Sequence, residues 1–163
     1  MFLHLPVNHR YRAAYRFLAG LTGAYVLVFG IVGAVVSGGH GLFARGHLVA
    51  LGLHTNLAFS VLSILVGAAV VVATLLGRNV DHYLDVFGGL AFLIAGMAML
   101  ILLRTSLNFL NFTVATCVVS FLIGLVLFTA GLYGRTGSAA QVREVERHRH
   151  QGGRSERVQP AAG

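Results

Sequence analysis

Apolar residues run through this chain in four long blocks, and its charged residues are confined to the segments between them. No Asp, Glu, Arg or Lys occurs in Phe17–Ala44, Gly46–Gly77, Val86–Leu103 or Thr105–Gly134. Each block holds a stretch close to the ~20 residues that carry a helix across ~30 Å of hydrocarbon. The pattern predicts an all-α, polytopic membrane four-helix bundle over 17–133, with spans at about 17–36, 57–77, 86–103 and 113–133. A basic arm, 1–16, precedes the bundle. The polar segment 134–163 follows it, with too little apolar content to fold alone, and is expected to be disordered.

The second and fourth blocks echo one another. Ser63-x3-Gly67-x5-Ala73-x3-Gly77-Arg78 returns 57 positions later as Ser120-x3-Gly124-x5-Ala130-x3-Gly134-Arg135, and Gly23-x6-Gly30 returns 66 positions later as Gly89-x6-Gly96. This predicts two tandem helical hairpins in parallel repeat. The unequal offsets place about nine extra residues in the first loop. Lipid tails solvate leucine as well as a neighbouring helix does, so helices associate where small residues let backbones approach. Gly23, Gly30, Gly67, Gly77, Gly89, Gly96, Ser120, Gly124 and Gly134 are therefore the candidate helix-packing positions.

Composition agrees with a membrane chain: 56% of residues are hydrophobic and 10% charged, with a mean hydropathy of +0.80. A soluble domain carries about a quarter charged residues. All twelve basic residues are arginine. Arg10, Arg12, Arg16, Arg78 and six arginines from Arg135 to Arg157 fall on one side of the predicted topology, against Arg45 and Arg104 on the other. The bias places both termini in the cytoplasm. The start of the chain does not read as a cleaved signal peptide, so the first span is expected to be retained. The lone Cys117 excludes an intramolecular disulfide.

Candidate chemistry is sparse. None of the four predicted spans contains Asp, Glu, Arg, Lys or His, which argues against proton relays, carboxylate-coupled transport and haem ligation between spans. Thr22, Ser60, Ser63, Thr74, Thr116, Ser120 and Thr129 read as hydroxyls bonded back to helix carbonyls, not as nucleophiles. His40, His47 and His54 recur every seven residues in the first loop, but five glycines between Gly38 and Gly52 break a shared helical face. The semi-apolar run Leu42–Leu53 reads as a short interfacial or re-entrant segment. Asp81, His82 and Asp85 are expected to form a small ionic cluster with Arg78, and His148-x-His150 is a weak chelator by composition alone. No catalytic, cofactor-binding or metal-binding residue is assigned. The arginine-rich arm and tail suit anionic lipid headgroups, and without interleaved aromatics in the tail nucleic acid is not an expected partner.

Four short motifs carry a resemblance. Leu5-Pro6-Val7-Asn8-His9-Arg10, Leu51-Gly52-Leu53-x-Thr55-Asn56, Gly77-Arg78-Asn79-x-Asp81 and Ala130-Gly131-Leu132-Tyr133-Gly134-Arg135 look like those of actinobacterial four-span membrane proteins catalogued as domain of unknown function 4383. The likeness covers about residues 4–136 and implies a membrane bundle without bringing an activity. The expected function is a non-enzymatic scaffold or accessory subunit whose partners are the lipid bilayer and other membrane proteins or itself. The alternative is a small oligomeric transporter or channel.

Overall fold

A computed structural model describes residues 11–77 and 80–134, so the arm up to Arg10, Arg78 and the tail with its two histidines lie outside the described residues. The chain is all-helical apart from one small ribbon. Helix α1 runs Arg12–Ser37, the two-residue strands β1 (Val49–Ala50) and β2 (Leu53–His54) follow, and α2 spans Leu57–Leu76, α3 Val80–Leu102 and α4 Val114–Gly134. All four helices are long and apolar enough to cross a membrane. The protein is thus a multi-pass membrane bundle in which α1 lies chiefly on α2 and α3 on α4, with α1–α4 and α2–α3 contacts closing the ring.

Backbone proximity holds each pair. A Cβ added at Gly67 would fall under 3 Å from the backbone of Leu27 and Gly23, and one at Gly124 under 3 Å from the Gly89 carbonyl and the Leu93 side chain. Moving 66 residues from α1 to α3 and 57 from α2 to α4 turns one set of neighbours into the other. The same shift relates Gly30, which faces Ile64 and Ser60, to Gly96, which faces Phe121 and Cys117. Burial follows suit: Ser63 and Ser120, Val70 and Leu127, and Ala73 and Ala130 are all buried. The two hairpins are built in one register.

Gly77 and Gly134 have different surroundings. Gly77 ends α2 with a positive φ of 63°, its N–H bonded to the Ala73 carbonyl. That is the conformation in which glycine escapes the Cβ penalty at a helix end. A Cβ at Gly134 would meet nothing within 4 Å.

Two expectations are corrected. The run Leu42–Leu53, expected as a short interfacial or re-entrant segment, instead leads into an antiparallel ribbon, with Val49 opposite His54 and Ala50 opposite Leu53. Leu51 and Gly52 turn it with φ of 47° and 83°, the double positive φ of a two-residue hairpin. Ala50 and Leu53 bury themselves against Phe29, Phe59, Met99, Phe112 and Cys117, so the ribbon is a lid on the bundle.

The helices also outrun the apolar blocks. α1 begins at Arg12 and takes in Arg16, and α3 begins at Val80 and takes in Asp81, His82 and Asp85. These ionisable side chains belong to the helices but lie outside the expected spans 17–36 and 86–103. Hydropathy marks where chain is desolvated, whereas a helix continues while its side chains find partners.

Replacing Gly67 or Gly124 by alanine should each cost about 1–3 kcal/mol, because the facing atoms are backbone or closely packed side chain. Gly88→Ala, where nothing lies within 4 Å, should cost nothing measurable. Thermal unfolding in mild detergent checks the contrast, and equal tolerance at all three positions would show that the glycines face lipid.

Candidate functional site

The end of the bundle that carries Arg12 and Arg16 also gathers Asp81 and Asp85, the two carboxylates among the described residues. The final carbonyls of α2 and α4 have no intrahelical partner and concentrate the negative pole of each helix there. Cationic and imidazole side chains from α1 and α3 supply the missing donors. Arg16 donates to the Thr74 carbonyl at 2.5 Å, and Arg12 Nε donates to the Gly134 carbonyl at 3.0 Å. His82 Nδ1 lies 2.6 Å from the Gly131 carbonyl. A carbonyl only accepts, so the proton sits on Nδ1 in this contact. Arg16 and His82 differ by 66 positions, and Thr74 and Gly131 by 57. One capping geometry is thus used twice, with a different side chain in each hairpin.

Two aspartates are added to α3 here. Asp81 lies in its first turn, where the helix dipole favours a negative charge. Its Oδ1 accepts from the His82 N–H at 3.0 Å, and its Oδ2 is 3.1 Å from Arg16 Nε. That contact is an ion pair without hydrogen-bond alignment, since both atoms are buried with no hydrogen-bond partner. Asp85, one turn further along, is 3% exposed, and its Oδ1 has no partner either. Tyr15 stacks on Tyr133 with ring centroids 5.1 Å apart, closing the α1–α4 side of this end. The ionic cluster expected around Asp81 thus forms with Arg16 of α1, and Arg78 lies outside the described residues.

The opposite end carries Arg45 and Arg104 and no carboxylate, and it is stitched by asparagines. Asn56 caps α2, its Oδ1 accepting from the Phe59 N–H at 2.9 Å, while its Nδ2 donates to the Phe109 carbonyl at 2.7 Å. Asn111 donates to the Gly46 and Thr55 carbonyls at 3.1 and 3.0 Å. Asn108 accepts from the Phe112 N–H at 2.8 Å and closes its own turn. Arg45 donates to the Ser106 carbonyl. These bonds tie the long first loop to the α3–α4 connection. His47 and His54 are neighbours with ring centroids 5.9 Å apart. No group of three or more His, Cys, Asp or Glu suited to a metal occurs among the described residues.

Four of the seven hydroxyls expected to bond back to helix carbonyls do so. Thr22, Ser60, Ser63 and Thr74 donate to the carbonyls four residues back, each at 2.8 Å. Thr116 instead pairs with Thr113 at 3.1 Å. Ser63, Thr116 and Ser120 line a cavity of about 20 Å³ between the hairpins, bounded by Phe29, Phe59 and Phe92. It has room for one water molecule.

Sequence reasoning missed Arg16, Asn56 and Asn111 as organising residues. Asn56 had a usable signal, an N-cap residue directly before an apolar block. Arg16 and Asn111 act across 65 and 56 residues to Asp81 and Thr55, and no local pattern reports that. The fold and its two polar ends define a multi-pass helical membrane protein. Comparison of the chain with protein-family models, curated proteins and solved structures gave no match.

Arg16→Met should destabilise the bundle by about 2 kcal/mol, because it strands the Asp81 carboxylate and the Thr74 carbonyl together. Asn56→Ala should cost a similar ~1–2 kcal/mol by removing a helix cap. Melting temperatures of the two variants in detergent provide the check, and a wild-type value for Arg16→Met would mean that water already satisfies both partners.

Proposed function

We propose that this protein is a non-enzymatic scaffold or accessory subunit of a bacterial plasma-membrane complex, with both termini in the cytoplasm. The observation that carries the reading is the closed construction of the bundle. Each hairpin is locked by backbone contact, side chains cap the helix ends at one face, asparagines close the other, and the central cavity is about 20 Å³. A rigid body of this kind presents stable helix faces and leaves no route for a solute through a single copy.

The internal repeat fits a duplicated hairpin, and the four quoted motifs resemble those of the actinobacterial domain of unknown function. Both belong to the same proposal. A small oligomeric transporter or channel is the second reading, and the buried Asp81 and Asp85 are what favour it, since intramembrane carboxyls commonly mark ion pathways.

Full-length protein in liposomes should pass no protons or small ions above the level of empty vesicles. Deleting the tail from Gly137 onward should abolish co-purification of a membrane partner without unfolding the bundle. Selective flux that is blocked by bulky substitution at Ser63 or Ser120 would establish the transporter in place of the scaffold.

Orientation has its own test. Single cysteines at Gly41 and Tyr11 in a Cys117→Ser background should react with an impermeant reagent from outside and inside respectively. Ser37 is unsuitable because it is fully buried. Labelling of both positions from one side would contradict a bundle whose ends lie on opposite faces of the membrane.

A further inference from the structure

We propose that Asp85, together with Asp81, forms a binding site for one small monovalent cation, a proton or an alkali ion, at the arginine end of the bundle. Three observations converge on it. The first is charge: two carboxyls, 1% and 3% exposed, lie one turn apart on α3, and among the described residues only Asp81 has an ion-pair partner, Arg16; buried charge is stable only when paired or ligated. The second is unused bonding capacity. Asp81 Oδ2 and Asp85 Oδ1 are buried without any hydrogen bond, and Asp81 and Arg16 are the charges that act on Asp85.

The third is the comparison the molecule makes with itself. The position equivalent to Asp85, 66 residues earlier, is Ala19, which is 0% exposed and packs in the apolar core cluster. Helix packing at this site therefore needs no carboxyl. A buried carboxyl placed where an alanine suffices is a ligand in want of a positive charge.

The groups around Asp85 are few. α1 contributes Arg16 and, nearer the end, Tyr15; α3 contributes Asp81 and His82; α4 contributes Tyr133, and α2 contributes no titratable side chain among the described residues. His82 is engaged with the Gly131 carbonyl.

The test is the melting temperature of full-length protein in detergent. Wild type is compared with Asp85→Asn and Asp85→Ala, the latter copying the Ala19 side. One series varies sodium, potassium and choline chloride at fixed ionic strength; the other varies pH at fixed salt. For an alkali ion, wild type should gain roughly 3–6 °C per tenfold rise in sodium or potassium above its binding constant, with no gain in choline. For a proton, the salts should be equivalent and the gain should appear per unit fall in pH. It should be accompanied by an infrared carboxylic-acid carbonyl band that disappears in Asp85→Asn. In either case both variants should lose the dependence. Identical salt and pH responses in wild type and both variants would overturn the site.

Discussion

The whole construction rests on two places where helix backbones touch. In a bilayer no hydrophobic force draws apolar helices together, so the pairs α1–α2 and α3–α4 depend on dispersion across very short separations. Gly23 with Gly67, and Gly89 with Gly124, supply those separations, since even a methyl group there would overlap the facing helix. Everything else is placed by that contact. It fixes the height at which Arg16 meets the last turn of α2 and His82 meets the last turn of α4. It also fixes the opposite end, where the first loop can reach the α3–α4 connection through Asn56 and Asn111.

Departures from the equivalence of the two hairpins then become informative. The shared register makes Arg16 and His82 alternative answers to one demand, a donor for an exposed helix terminus. It makes Ala19 and Asp85 alternative occupants of one packed position, of which only the second carries charge. The first loop departs in the other direction, spending its extra residues on a ribbon that buries Ala50 and Leu53 and covers the bundle. One end of the molecule is thereby specialised in charge and the other in closure.

Much of this was legible in the sequence, for reasons that also explain what was not. Four spans follow from four charge-free blocks, because desolvation in lipid penalises charge residue by residue. The glycine contacts follow from spacing at two fixed offsets. The charged turns of α1 and α3 were invisible to the same logic. Arg16 and Asp81 look like loop charges until the fold places them 3.1 Å apart. The ribbon was hidden because Leu51 occupies a positive-φ turn position at which Asn or Gly would have announced a hairpin. The asparagine stitching joins segments more than fifty residues apart, and sequence offers no local cue for it.

The central claim is that both hairpins are built in one register, and pulsed electron spin resonance measures this directly. Spin labels at Val28 and Leu65 report the first hairpin, and labels at the equivalent Ile94 and Leu122 report the second; all four side chains are exposed on the bundle surface. The two pairs should give coincident distance distributions in reconstituted full-length protein. Distributions whose centres differ by a helical turn, about 5.4 Å, or more would show that the hairpins pack differently and would contradict the account.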